Sequence, residues 1–266
     1  MHRPAALRLG WARGAPRRGN ALNVAVQARR AGVAAAYFGA VGPDDDGDLV
    51  RRSLEQEGVD VGGLVVRPGN TSVTQIEVRR DGERVLAHED FGVCRGYAPD
   101  AQMLSRLIQA DHVHLGWLDD GGALRRRLAL EGRSVSQDLT VNADPRNLGV
   151  EGLTIAFGSH PGTADDAERL GREWLGQGAR MAVVTRGADG AAVIAAEGRW
   201  HIPAERVDPV DTTGAGDSFI AGFIAAWLRG APPEAAARSG ARQARLTCLH
   251  EGGFPQHGGD WLRQQT

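Results

Sequence analysis

The stretch "TTGAGDSFIAGFIAAWLRG" (212–230) sets two glycines, an alanine and one acid directly ahead of an apolar run. Phe219, Ile220, Phe223, Ile224, Trp227 and Leu228 recur at i, i+1, i+4, i+5, i+8 and i+9, the pattern of an apolar helical stripe. Gly230 stops the helix and Pro232-Pro233 prevents its continuation, so the helix starts near Gly216–Asp217. The first N–H groups of a helix have no partner within it, and the helix dipole favours an anion there. Gly214, Ala215 and Gly216 are small enough to let a phosphate reach that backbone. Asp217 has two readings: an acid that stabilises the helix start, or a general base beside a bound phosphate. A dinucleotide-binding glycine loop fails on spacing, because Phe219 stands where the third glycine belongs.

Composition narrows the chemistry further. The chain has 266 residues with 42% hydrophobic content, enough for one α/β domain with a sizeable core. Its formal net charge of −2 makes no case for a nucleic-acid partner. No lysine occurs, which removes the Walker lysine, the protein-kinase ATP lysine and Schiff-base catalysis. Cys94 and Cys248 lie far apart and match no metal or redox spacing, which fits a reduced, cytoplasmic compartment. No apolar run approaches the ~18 residues of a membrane span. His112 and His114 alternate on one strand face and read as neutral imidazoles rather than a metal pair.

The elements that must position these residues alternate along most of the chain. Segments 21–32, 46–58, 100–110, 121–132 and 164–178 read as helices, and 33–42, 111–116, 134–140, 153–159 and 180–187 as strands. Residues 63–90 alternate instead like strands, with turn signals at Pro68-Gly69 and Asp81-Gly82. A hairpin at 191–203 and two C-terminal helices complete the pattern. Such alternation predicts a mainly parallel sheet covered by helices, with a β-rich insert at about 60–92.

"DTTGAGDSFIAGFI" (211–224) resembles, position for position, the C-terminal signature of the ribokinase-like (PfkB) carbohydrate kinases. "GNALNVAVQARRAGVAAAYFGAVG" (19–42) resembles the family's sugar-site signature, "VGPDDDGD" the Gly-x-Asp-x-x-Gly after it, and "VVTRGADGA" (183–191) its nucleotide loop. "GNALNVAV", "HEDFGV", "DHVHLGW" and the short tail resemble the fructoselysine 6-kinase subfamily. The resemblance implies a single ribokinase-like domain over 1–266, an α/β three-layer sandwich with a mostly parallel central sheet and a small β lid. It implies ATP-dependent phosphorylation of a sugar hydroxyl, with the 6-hydroxyl of a fructosamine such as fructoselysine as the substrate. A kinase of another sugar or nucleoside, or a catalytically impaired binding paralogue, are the alternatives.

By the matched motifs Asp217 is the catalytic base, and Gly214, Ala215 and Gly216 form the anion hole. Thr185, Gly187 and Gly190 match the nucleotide side; Gly19, Asn20 and Asn23 match the sugar side, with Gln75 closing from the lid. ATP and Mg²⁺ are the implied cofactors, and the family's lid admits a homodimer.

Three departures stand out. No acid precedes Asp44, so the acid that normally ends the family's first strand is missing. A truncated or mis-started reading frame would account for it. The Asn-x-x-Glu expected near the metal is replaced by "FGSHPGTADDAE", whose His160, Asp165 and Asp166 read as solvated helix-start residues, and metal ligands stay unassigned. Asp138 ends a strand in "SQDLTVNADPR", where it reads equally as a crevice residue or a turn former.

Overall fold

The computed structural model describes residues 19–78 and 84–255, with the backbone alone for 75–78 and 84–88. The expectations placed on residues 1–18, on the Asp81-Gly82 turn and on the side chain of Gln75 lie outside the described residues.

The described residues open with helix α1 (Asn20–Arg30), strand β1 (Ala36–Val41), helix α2 (Asp45–Gln56) and strand β2 (Asp60–Val66). A hairpin of β3 (Val73–Val78) and β4 (Arg84–Asp90) follows. Then come α3 (Ala101–Gln109), β5 (Val113–Leu115), α4 (Ala123–Leu130), β6 (Val135–Asp138), β7 (Ile155–Ser159), α5 (Ala164–Gly176) and β8 (Met181–Thr185). β9 (Ala191–Ala195), β10 (Gly198–Ile202), α6 (Ala215–Leu228) and α7 (Pro233–Thr247) close the sequence of elements.

The main sheet runs β10-β9-β8-β7-β6-β5. β5 to β8 are parallel and β8 to β10 antiparallel. All four parallel strands therefore end on one edge, where open α/β sheets bind ligands. One face packs on α1, α6 and α7 through Val24, Phe157, Val183, Phe219 and Phe223. The other packs on α3 and α4 through Leu107, Val113, Leu128 and Val135, and on α5 through Ala167, Val184 and Ile194. This is the expected three-layer α/β arrangement.

Two expectations need correction. The β-rich stretch is not one insert: β2 pairs in parallel with β1 across α2, as a β-α-β unit of the main architecture, and only β3–β4 forms a separate antiparallel hairpin. Alternation in the sequence reports strands but not their partners. Helix α6 is also more than a striped helix. Ser218 to Ala226 are all buried, because α1, α7 and the sheet surround it.

The base of the hairpin is pinned by the Gly-x-Asp-x-x-Gly segment. Asp44 caps α2 by accepting from Gly47 N at 2.8 Å, and accepts from Thr71 N at 2.8 Å and Thr71 Oγ1 at 2.5 Å. The hydroxyl of Thr71 accepts in turn from Gly42 N at 2.8 Å. Hydrogen bonds to the charged form hold the Asp44 carboxyl below its ordinary value despite its desolvation.

Among the described residues, β1 pairs with no strand but β2, and β5 with none but β6. An apolar cleft of about 730 Å³ separates them, lined by Val24, Phe38, Leu107, His112, His114 and Ile224 among others. On β5, the two ring nitrogens of His112 lie 2.7 Å from Ser134 Oγ and Ser136 Oγ, and His114 Nδ1 lies 2.9 Å from Ser136 Oγ. His114 Nε2 is buried without a partner. No three potential metal ligands cluster among the described residues.

Desolvation pushes His112 down to about 3 and His114 down to about 4. The unfolded chain takes up these protons near pH 6.5, so it binds more protons than the folded chain between pH 6.5 and 4. Stability from this pair is full above that window and is lost as pH falls through it. Thermal melts of the wild type should decline between pH 7.5 and 5, and His114→Gln should decline less steeply over the same range. Equal slopes would show that the buried imidazoles do not set the acid sensitivity.

Candidate functional site

The sheet's carboxyl edge brings the starts of α1 and α6 together. Gly214 adopts a left-handed φ of 77° immediately before α6, where a Cβ would sit 2.6 Å from Gly253 Cα. Only glycine satisfies both demands. Ala215 and Gly216 then begin the helix. Its first i→i−4 bond runs from Ser218 N to the Gly214 carbonyl at 2.9 Å, and among the described residues the N–H groups of Gly216 and Asp217 have no backbone partner. A Cβ on Gly216 would meet no atom of the described residues within 4 Å, so nothing crowds the helix surface at this turn. The helix entrance thus has the form of an anion cradle.

Asp217 stands in the first turn of α6 and is held from α1. Asn20 Nδ2 donates to Asp217 Oδ1 at 2.5 Å, and Asn23 Nδ2 donates to Asp217 Oδ2 at 2.7 Å. The three-residue spacing of the two asparagines puts both amides on one face of α1. Asn23 is buried, at 2% exposure. Asn20 Nδ2 also donates to Asp138 Oδ2 at 3.1 Å, so one amide nitrogen joins two carboxylates.

Desolvation raises the Asp217 carboxyl to about 7, with the Asp138 charge adding to the rise and the two amides opposing it. Desolvation also pushes Asp138 up, against hydrogen bonds from Thr140 and Asn20. A carboxylate poised near neutrality, with both oxygens directed by amides, is suited to accept a proton from an alcohol. The helix-stabilising reading of Asp217 does not account for this enclosure by two asparagines.

Two glycines that carried no functional reading make the amide arrangement fit. A Cβ at Gly116 would lie 2.5 Å from Asn20 Oδ1, and a Cβ at Gly253 would lie 2.3 Å from Asn23 Oδ1. Both amide oxygens are buried and unpartnered. Gly116 directly follows β5, a placement visible in "HLGW"; Gly253 had no local signal.

The nucleotide-side residues lie on the same edge. Thr185 ends β8, and its Oγ1 donates to the Gly158 carbonyl at 3.2 Å. Gly187 (φ 58°) faces open space. Gly190 has a structural duty: at φ 91° a Cβ would fall 2.0 Å from the Ile202 carbonyl oxygen. Gly19 precedes α1 in extended backbone and supplies the carbonyl that accepts from Asn23 N at 2.9 Å. Of the residues near the missing Asn-x-x-Glu, Asp166 joins Thr163 in a capping box and pairs with Arg169 at 2.8 Å. His160 Nδ1 accepts from Gly162 N at 2.9 Å. These are helix-start roles, as expected.

At the mouth of the crevice, Phe91 stacks on Trp117 with centroids 3.8 Å apart and planes 10° from parallel. The Arg95 guanidinium lies 5.4 Å from the Phe91 centroid. Glu89 and Asp90, at the end of β4, are exposed.

A family model described as pfkB family carbohydrate kinase matches residues 19–116 and 149–255, most of the chain. An ATP-dependent ribose-1-phosphate kinase from Halopiger xanaduensis is 37% identical over 243 residues, covering 88% of this chain and 81% of that protein. A fructoselysine 6-kinase from Shigella flexneri is 33% identical over 237 residues, covering 87% and 90% respectively. Among solved structures, an Arabidopsis thaliana ribokinase with ribose and ATP superposes with a TM-score of 0.80 at 19% identity, over 90% of this chain and 84% of that one. At that identity the likeness shows the ribokinase-like fold.

The geometry at Asp217 generates a direct test. Asp217→Asn should fold and lower kcat by about 10²–10⁴, the usual size of general-base assistance. Because the carboxyl is raised to about 7, wild-type kcat/KM should fall as pH drops through neutrality and the base becomes protonated. The Asn variant should melt no lower than wild type at pH 8, since it removes a desolvated charge. A variant with normal turnover would remove Asp217 from the chemistry.

Proposed function

The chain belongs to the pfkB family of carbohydrate kinases and is an ATP-dependent kinase of a sugar or nucleoside; from that premise we propose that it phosphorylates the 6-hydroxyl of a fructosamine such as fructoselysine. The observation that carries the chemistry is the Asp217 carboxylate clamped by Asn20 and Asn23 in front of the open start of α6. In the step, the Asp217 carboxylate takes the hydroxyl proton as the sugar oxygen bonds to the γ-phosphorus of ATP. The bond to the bridging oxygen breaks, and ADP leaves with the electron pair. The N–H groups of Gly216 and Asp217 and the dipole of α6 stabilise the charge on the transferring group. Thr185 and Gly187 are assigned to the nucleotide, with Gly190 shaping their loop, and Gly19, Asn20, Asn23 and the lid's Gln75 to the sugar.

Mg²⁺ supplies charge neutralisation on the phosphates when bound. No three acidic, His or Cys side chains gather among the described residues, and the Asp138 and Asp217 oxygens are engaged by amides and Thr140. Phosphates and water would make up most of the ion's coordination, as is common for this cation. A cytoplasmic location is assigned on the two free thiols. β3 and β4 pair with no other strand among the described residues, which leaves an edge to support a homodimer through the lid.

The fructosamine is favoured by the rim. Glu89 and Asp90 end β4 one step before the stacked Phe91, and both suit the amines of a glycated amino acid, while Arg95 suits its carboxylate. The similarity to a ribose-1-phosphate kinase supports a second reading, a ribose that carries its phosphate where the fructosamine carries its amino acid. Acids at the rim disfavour that dianion.

Side-by-side kcat/KM values for fructoselysine, ribose 1-phosphate, fructose and ribose decide between them. Fructoselysine should lead, and a lead for ribose 1-phosphate or a free sugar overturns the substrate and leaves the kinase. Gly216→Val should fold, because its Cβ enters open space, yet lose turnover and bind ATP more weakly. An unchanged ATP titration would place the phosphates elsewhere.

A further inference from the structure

We propose that Asp138 is a positioning residue for phosphoryl transfer: it fixes the amide of Asn20 from the side opposite Asp217, and so fixes the direction in which the base presents its oxygens. The role rests on the kinase reading of the same site. Asp138 lies in the stretch between the two segments that the family model matches, so its assignment comes from geometry alone.

The last residue of β6, Asp138 is 5% exposed. Its Oδ1 accepts from Thr140 N at 2.9 Å and Thr140 Oγ1 at 2.6 Å, which locks the carboxylate plane. Its Oδ2 is then left to Asn20 Nδ2 at 3.1 Å. The same nitrogen reaches Asp217 Oδ1 at 2.5 Å, so its two hydrogens each meet one carboxylate. Turning the amide over would set its oxygen against two anions. A single carboxylate would oppose that flip less strongly, and the second makes the orientation unambiguous. Gly116 leaves room for the displaced oxygen on the far side. Asn23 holds the other oxygen of Asp217, so with Asn20 fixed the base has no free torsion.

Asp138 also acts through its charge. A second carboxylate in a desolvated site disfavours ionisation of the first, so the two titrate as a coupled pair. Among the described residues, no cation stands beside Asp217. α1 presents Asn20 and Asn23, and β5 presents His112 and His114, both neutral. Asp211, ahead of α6, accepts from Thr213 N at 2.8 Å and Gly252 N at 3.0 Å. After α7 come His250, held below its ordinary value by desolvation, and the exposed Glu251. Arg238 and Arg242 of α7 are exposed, and Arg245 lies 3.9 Å from Glu205.

Asp138→Asn keeps an oxygen for both Thr140 donors while removing the charge that orients Asn20. Thr140→Ala removes the hydroxyl bond but keeps the charge and the Thr140 N–H bond that still orients the carboxylate. The Asp217 carboxyl is followed by ¹³C NMR titration, identified by its loss in Asp217→Asn, and kcat/KM is measured against pH for each protein. D138N should lower the Asp217 midpoint and the acid limb together, on the order of one pH unit. It should reduce kcat at pH 8 about tenfold, with KM for ATP within about twofold. T140A should leave midpoint and rate near wild type. An unmoved midpoint in D138N, or a T140A that reproduces the D138N loss, overturns the proposal and returns Asp138 to a turn-forming role. If the wild type turns over no sugar, the kinase reading falls separately, and the titration still decides whether Asp138 governs Asp217.

Discussion

The structure depends on keeping one carboxylate desolvated and yet aimed. Asp217 is raised to about 7 by enclosure, and a group in that condition would neutralise or turn away unless its surroundings fixed it. The fixing comes from α1, through Asn20 and Asn23, so the two helix starts must hold their relative position across the sheet edge. Behind the base a second polar network secures that position. Ser218 Oγ lies 2.7 Å from Thr247 Oγ1 of α7, and Gln27 of α1 donates to Thr247 at 3.3 Å and to the Gly253 carbonyl at 2.5 Å. Gln243 donates to Gln27 Oε1 at 2.7 Å. Buried polar networks of this kind are costly unless satisfied, and when satisfied they specify one arrangement. Here they tie α1, α6, α7 and the segment at Gly253 into one frame beneath the site.

The strands divide into two groups. The six-stranded sheet carries Asp138, Thr185 and the apolar floor under α6. The β1–β2 pair carries the hairpin, joined to it through the Asp44–Thr71 contacts. Helix α1 spans the two: Leu22 and Val26 pack with β1 and β2, while Val24 packs with the six-stranded sheet. The same helix that clamps the base therefore also sets where the hairpin stands. In the proposed reading, substrate positioning and catalytic geometry share one element.

How much of this was legible follows from how local each cause is. The entrance of α6 was readable because glycine needs, helix-end donors and an apolar stripe all lie within about one run of residues. The alternation of helices and strands was readable for the same reason, and the observed elements follow it closely. The parallel pairing of β2 with β1 was not, because strand period says nothing about partners. Nor was the full burial of α6, where Ala221, Ala225 and Ala226 fill the gaps between larger residues. Asp138 was visible as a strand end, but its partner Asn20 lies 118 positions away. Gly253 was silent because what it avoids, the Asn23 amide, belongs to the other end of the chain.

The distance between chemistry and selectivity is short in this molecule. Gly116 must lack a Cβ so that Asn20 can face two carboxylates, and the next residue, Trp117, carries the stacked Phe91 at the end of the hairpin. One dipeptide thus fixes the amide beside the base and the aromatic wall at the rim. In the proposed reading, a substrate that offers its hydroxyl to Asp217 extends its far end along that wall, toward Arg95, Glu89 and Asp90. The residues at the base are shared with a family that phosphorylates many alcohols, and they place no demand on the far end. Discrimination has to come from the wall and the hairpin, whose charges are unevenly mixed and mostly acidic at the tip of β4. A far end that carries amines together with a carboxylate meets both signs there, whereas a bare hydroxyl or a dianion leaves one of them unanswered.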